Sequence, residues 1–395
     1  MSNIKHSLRV IFLVEFVHEQ GTYFRWHNLA IGLQLLGHRV TVYAIDWDRF
    51  TKDRVEHRDG VEYQILSTFR GLNIFTPSTN PLNLLRRFAI RYPACDVVHT
   101  FQPFPFSASL GWYLKRTGRA KTFFYDWDDL WIKGLYKDMP ERLSTWISYL
   151  LVRSTETYMP ALADAVTVCS DFLQNLTRAA GNQFVRVIHN GFTIYEPMDK
   201  QQARAQLGLR PDVIYAGFIG RTLSELSWCI RAMQTLLEQT NSCSVRMVLC
   251  GMPTDALQTI PPNLTEHIDY VGQLSPADCR VLAAAIDLGL MPLEDNMFNQ
   301  SRFPIKFAEY QASGTPVLYS QVGECNMFTT VFFWNIPAGK TCQSFIDAFT
   351  ESMSLGKTEF SKRKVNAHAL AIHLEWKRMA SLLASTYQEK LNVST

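Results

Sequence analysis

Short, largely apolar runs recur along the 395-residue chain, and most are followed by a stretch with helical periodicity. The first is Arg9-Val10-Ile11-Phe12-Leu13-Val14-Glu15. It is apolar on both faces, as a central strand of a parallel sheet must be. Tyr23 to Leu36 then carries helical spacing and stops at Gly37, a residue that tolerates a left-handed cap, and Arg39 to Ala44 reads as a second strand. The unit recurs with Asp96 to His99 as strand, Ser107 to Arg116 as helix and Lys121 to Tyr125 as strand. A long helical stretch from Glu141 to Met159 precedes strands at Ala165–Ser170 and Arg186–Phe192. Strands alternating with helices predict a doubly wound parallel sheet.

Polar residues from Glu196 to Arg204 read as a linker, and Val213 to Gly220 restarts the alternation. Further strands are expected at Val245–Gly251, Ile268–Gly272, Leu288–Met291 and Pro316–Tyr319. At this length two domains, each with its own core, are expected. The boundaries fall at residues 1–195 and 205–365, each half Rossmann-like, with a terminal helix over 366–395 that can pack back on the first half.

A formal charge of +3 without a long basic run gives nucleic acid no electrostatic footprint. The eight cysteines include no C-x-x-C pair and read as buried thiols in a reducing compartment. No apolar stretch reaches spanning length, and the chain enters its first strand without a signal-peptide core, so a cytoplasmic protein is expected. Arg86, Arg87 and Arg91 interrupt an apolar stretch at Leu84–Tyr92. An ordinary amphipathic helix explains them; peripheral contact with the inner face of an anionic membrane is the rival reading.

In open parallel sheets, ligands bind at the carboxyl ends of the strands, where helix N-termini turn partial positive charge toward anions. Neither half contains G-x-G-x-x-G or G-x-x-x-x-G-K-[ST], so the dinucleotide and P-loop signatures are missing. The loop Glu19-Gln20-Gly21-Thr22 can offer N–H groups to a phosphate or sugar oxygen, and a plain strand-to-helix turn accounts for it equally. His99 ends a strand, as a ligand contact or a structural histidine.

The segment Ser301 to Val317 resembles the P-x-K-x-x-E-Y-x-A-x-G-x-P-V block of retaining GT-B glycosyltransferases of the large group 1 (family four) type. Other blocks agree in order: Gly21 to Val42, Ala163 to Ser170, Asn190-Gly191, Gly217 to Arg221, and Tyr270 to Leu293. The resemblance implies an α/β protein of GT-B architecture, with two Rossmann-like doubly wound sheets facing across a cleft. It implies a retaining, hexosyltransferase-type enzyme that moves a sugar from a UDP- or GDP-sugar to a hydroxyl of a glycan or lipid-linked acceptor. No tightly bound cofactor and no metal are implied.

Breaking the anomeric bond builds negative charge on the leaving diphosphate, so cations and N–H donors are needed there and carboxylates nearer the sugar. By resemblance, Arg221 and Lys306 face the diphosphate. Glu309 matches the second carboxylate of the family's E-x7-E pair, expected on the ribose hydroxyls; as a bare sequence feature it is also a carboxylate favouring a helix dipole. Gly220, Gly272, Ser301, Pro304 and Ile305 complete the donor contacts, and Gly21, Thr22 and His99 the acceptor or phosphate loop. Two positions depart from the pattern: the first carboxylate is Ser301, and the lysine six places after the arginine is Ser227.

In Tyr125-Asp126-Trp127-Asp128-Asp129-Leu130-Trp131, Asp128 falls on the histidine of an H-D-x-W-type segment near the acceptor. A carboxylate there orients or deprotonates the acceptor hydroxyl, and three acids sharing one site raise one another's pKa. A solvated acidic turn explains the same residues. Two other classes stay open: a non-catalytic homologue acting as a binding subunit, motivated by Ser301 and Ser227, and a sugar-nucleotide epimerase or phosphorylase on the same scaffold.

Overall fold

A computed structural model describes the chain except residues 1–6, 20, 47–51, 70–76, 135, 137–141, 194–197, 241–243, 328–334, 357, 364–373 and 394–395. The chain divides into two compact units. One runs to Asn190 and is resumed from Trp376; the other is Gly191–Glu375.

The first unit is built on β1 (Arg9–Leu13), β2 (Arg39–Ile45), β3 (Arg54–Arg58), β4 (Val61–Leu66), β5 (Cys95–Phe101), β6 (Ala120–Trp127), β7 (Ala165–Val168) and β8 (Val185–Val187). Their order is β3-β4-β2-β1-β5-β6-β7-β8, parallel except for the β3–β4 pair. The central strands are legible because both their faces are buried: β5 is buried at every position. The helices are α1 (Tyr23–Leu35), α2 (Pro81–Ala89), α3 (Pro105–Arg116), α4 (Leu143–Leu162) and α5 (Asp171–Ala179). After α1, Gly37 takes a φ of +88°, and the amides of Gly37 and His38 donate to the carbonyls of Gln34 and Leu33. A β-carbon would resist that turn, which ends the helix and aims the chain into β2.

The second unit carries β9 (Ile214–Ile219), β10 (Val245–Cys250), β11 (Ile268–Tyr270), β12 (Leu288–Met291), β13 (Val317–Tyr319) and β14 (Ile336–Pro337), all parallel, in the order β11-β10-β9-β12-β13-β14. Its helices are α6 (Lys200–Gln206), α7 (Leu223–Thr240), α8 (Pro276–Ala285), α9 (Met297–Ser301), α10 (Ile305–Ala312) and α11 (Cys342–Ser354). The stretch expected as a linker holds α6. The Asp199 carboxylate accepts from the amides of Gln201 and Gln202, and buried Arg204 donates to the carbonyls of Ala285, Pro211 and Val213 and to Asp287. One anchored arginine turns a polar segment into a packed helix.

The chain ends in α12 (Trp376–Val393), part of the first unit, whose apolar side Trp376, Met379, Ala380, Leu383 and Tyr387 joins the core of α1, β1 and β2. Close approach requires a glycine: a β-carbon on Gly32 of α1 would lie 2.3 Å from that of Ala380.

Candidate functional site

In the second unit, three neighbouring strand ends are tied to one another through glycines. The Gly220 amide donates to the Cys250 carbonyl (3.0 Å), and the Gly251 amide to the Gly272 carbonyl (2.9 Å). Gly251 and Gly272 have φ of +84° and +78°, and a β-carbon on Gly251 would stand 3.1 Å from the Gly220 carbonyl oxygen. Only bare backbone fits this edge, which leaves it open to a ligand.

Helix α10 is pinned to that edge by Tyr310, whose hydroxyl accepts from the Ile219 amide (3.2 Å) and donates to the Gly217 carbonyl (3.1 Å). Pro304 and Ile305 form the helix start. Lys306 follows, with its ammonium 5.1 Å above the Phe218 ring. It donates to Glu225 in the first turn of α7 (2.5 Å), and Arg302 donates to the same carboxylate (2.9 Å). Burial pushes the Glu225 carboxyl up, but Lys306 and Arg302 outweigh it and hold the group below the ordinary carboxylate range.

Two cations on one carboxylate leave a net positive charge at the strand ends. Glu309, one turn past Lys306, is raised to about 7 by burial, against the pull of Arg280 and Lys306. Arg221 is exposed at the end of β9. Ser301 is buried and donates to the Phe298 carbonyl (2.8 Å), so its hydroxyl is spent on the end of α9. Sequence reasoning missed Glu225 and Arg302; an acid two residues from a helix start reads as a dipole partner, and its cations come from 77 and 81 residues away.

The first unit brings Thr22, Arg25, Asp126 and Asp128 together. Arg25, in the first turn of α1, donates through Nε and Nη2 to Asp126 (2.8 and 2.9 Å) and through Nη1 to the Ile188 carbonyl and the Asn190 side chain. Asn190 of the expected Asn-Gly turn therefore anchors this arginine. Asp128 is buried with Oδ1 lacking a hydrogen-bond partner. Burial and neighbouring Asp126 raise its carboxyl to about 6, while Thr22 and Arg25 pull it down. Asp126 is thus locked in an ion pair, whereas the Asp128 carboxyl is the one that burial holds near 6. Gly21, at φ +55°, is exposed beside them, and Gln20 of the same loop lies outside the described residues.

His99 is not at an accessible strand end. Strand β5 continues through Phe101, and the ring is fully buried beneath α12. The Thr167 hydroxyl donates to Asp126 (2.5 Å), so it accepts from Nε2–H of His99 (3.0 Å), and Nδ1 accepts from the Tyr387 hydroxyl (2.6 Å). Burial lowers the ring to about 3, which keeps it neutral. His99 is a core residue linking α12 to the Arg25–Asp126 pair, and the acceptor-loop expectation for it is corrected.

Of the three arginines in and just after α2, Arg86 and Arg91 are exposed. Arg87 is buried, 3.6 Å from buried Glu15, and Arg86 makes a two-pronged contact with Asp53. No described helix is long and apolar enough to cross a membrane, and among the described residues no cluster of three metal-ligating side chains occurs.

Two family descriptions match the chain in succession: Glycosyltransferase Family 4 over residues 21–194 and Glycosyl transferases group 1 over residues 197–351. Among curated proteins, the chain is 24% identical over 271 residues to Bacillus subtilis (strain 168) TuaH, named as a glycosyltransferase of teichuronic acid biosynthesis. That match spans 64% of this chain and 62% of TuaH. Sucrose-phosphate synthase from Thermosynechococcus elongatus superposes with a TM-score of 0.72 at 17% identity, over 96% of this chain and 98% of that one. Anabaena HepE, solved with UDP and glucose, gives 0.70 at 14% identity, over 97% and 100%. These likenesses establish the GT-B fold.

Proposed function

We infer, since the chain belongs to the group 1 glycosyltransferases, that it moves a sugar from a nucleoside diphosphate donor to a hydroxyl of a glycan or lipid-linked acceptor, with retention at the anomeric carbon. The observation that carries this reading is the pair of cations, Arg302 and Lys306, held on Glu225 beside the glycine edge of β9, β10 and β11. As the anomeric bond breaks, negative charge grows on the leaving diphosphate. Fixed cations in a half-buried setting stabilise that charge without reorganising.

Arg221, at the same strand end, reaches for the diphosphate from the solvent side. Glu309 accepts from the ribose hydroxyls once it is ionised, and the amides near Gly220 and Gly272 line the donor. In the first unit, Asp128 orients the acceptor hydroxyl and takes up its proton; Gly21 and Thr22 form the adjoining loop. HepE, solved with UDP and glucose, supports a nucleotide-sugar donor.

Calorimetry with UDP, GDP and ADP tests the reading. One of the three should bind the wild-type chain, and Lys306→Ala should weaken it about tenfold, the worth of a charge-assisted hydrogen bond. Failure of all three to bind would sink the donor assignment. The anomeric configuration of the product, read by NMR, decides retention.

A further inference from the structure

Helix α4 carries one acidic residue among its twenty, Glu156, and that residue is buried, 7% exposed. Burying a carboxyl group is costly unless donors meet it. Here three do, and all three come from one short turn. The Trp127 indole Nε1 and the Trp131 amide donate to Oε1 (3.2 and 2.8 Å), and the Ile132 amide donates to Oε2 (3.1 Å).

Trp127 is the last residue of β6, and Trp131 and Ile132 lie four and five residues further on. Asp128 sits between them, so Glu156 grips its turn on both sides. Val152, one helical turn before Glu156, joins Trp131 and Phe104 in an apolar cluster, where the Trp131 ring meets Phe104 edge-on at 5.0 Å. Just past the end of β7, the Cys169 thiol donates to the Asp128 carbonyl (2.8 Å). The backbone of Asp128 is thus fixed from two directions, while its Oδ1 keeps no hydrogen-bond partner.

The electrostatics tie the two acids together. Burial raises Glu156 to about 7 against the pull of the Ile132 and Trp131 amides and the Trp127 indole, and Asp128 adds to the rise. Tyr125, Asp126 and Arg25 also face the two acids, and Asp126 is spent on Arg25. An anchor that only stabilised the fold would need no particular turn. Three bonds gathered around one unspent carboxylate single out what that turn carries.

We propose that Glu156 is a positioning residue for sugar transfer: from α4 it clamps the turn after β6, so that Asp128 is held dry and in place for the acceptor hydroxyl. This rests on the reading of Asp128 as the acceptor's partner. Misplacing a group at the reacting hydroxyl costs rate without weakening donor binding.

The test uses the full chain labelled with carboxyl-13C aspartate, the Asp128 signal being identified by its loss in Asp128→Asn. In Glu156→Gln the amide keeps one accepting oxygen and turns N–H groups toward the remaining donor, which loosens the turn and removes the neighbouring charge. Both changes favour ionised Asp128, so its midpoint should move down from about 6 by about half a pH unit or more. Amide hydrogen exchange over residues 127–132 should quicken at least about tenfold, and Glu156→Asp, one methylene short of the turn, should quicken it likewise. A purely structural Glu156 would lower the melting temperature and leave the Asp128 midpoint in place; that result, or unchanged exchange, would overturn the proposal.

Release of nucleotide from UDP-glucose or GDP-mannose, with cell-envelope extract supplying acceptors, separates the two readings. Glu156→Gln and Asp128→Asn should each slow it about tenfold or more, with UDP or GDP affinity kept. Full release by Asp128→Asn would remove Asp128 from the acceptor whatever Glu156 does. Full release by Glu156→Gln beside an inactive Asp128→Asn would overturn the positioning role alone.

Discussion

Arg25 and Asp126 face each other through two parallel hydrogen bonds of 2.8 and 2.9 Å, with about 1% of either side chain exposed. The pair joins the first turn of α1 to the end of β6, and through Thr167 and His99 it reaches Tyr387 on α12. A buried pair of this kind contributes little when intact, because desolvation offsets attraction. Removing one member strands the other in a dry setting.

Asp126→Asn should therefore cost about 3–5 kcal/mol of stability. Urea unfolding followed by far-ultraviolet circular dichroism measures it. A loss under about 1 kcal/mol would mean that water reaches Arg25 in the folded protein.

Contact between α1 and α12 gives a second expectation. Alanine is the better helix former, yet Gly32→Ala should lower the melting temperature, because the new methyl would meet Ala380 at 2.3 Å. Adding Ala380→Gly should restore most of the loss. An additive double mutant would show that the helices shift apart freely.

Glu309 supplies a pH signature. Its carboxyl is raised from the ordinary 4.5 to about 7 by burial. A raised acid stabilises the fold fully below the unfolded value and loses that contribution as pH climbs through the folded one. Stability should thus fall between about pH 4.5 and 7, and donor affinity should rise across neutrality as the carboxylate becomes able to accept from ribose hydroxyls. Glu309→Gln should flatten both limbs. A wild-type affinity that is flat from pH 6 to 8, read by calorimetry, would remove Glu309 from the ribose.

The doubly wound sheets were legible because strands buried on both faces leave apolar runs, as in Val10 to Leu13 and Met247 to Cys250. Less legible was what depends on distant partners. Lys200 to Gln206 looks like a linker until Arg204 finds Asp287, 83 residues away. The β3–β4 hairpin went unread because Arg54 to Arg58, at a sheet edge, alternates half-buried and exposed positions and buries none. His99 was read as a strand end because its strand runs two residues further than its valines suggest. At the glycine edge, the P-x-K-x-x-E-Y block singled out Lys306 and Glu309, whereas Arg302 and Glu225 have meaning only through each other.

The chain leaves the first unit at Asn190 and completes it only from Trp376 onward. During synthesis on the ribosome, the second unit can finish first, while the earlier sheet waits with one apolar layer uncovered until the last segment emerges. A message truncated just short of Trp376 would yield an intact second unit attached to a sticky, unfinished first one. Quality control would meet that product as an aggregation hazard instead of a shortened enzyme.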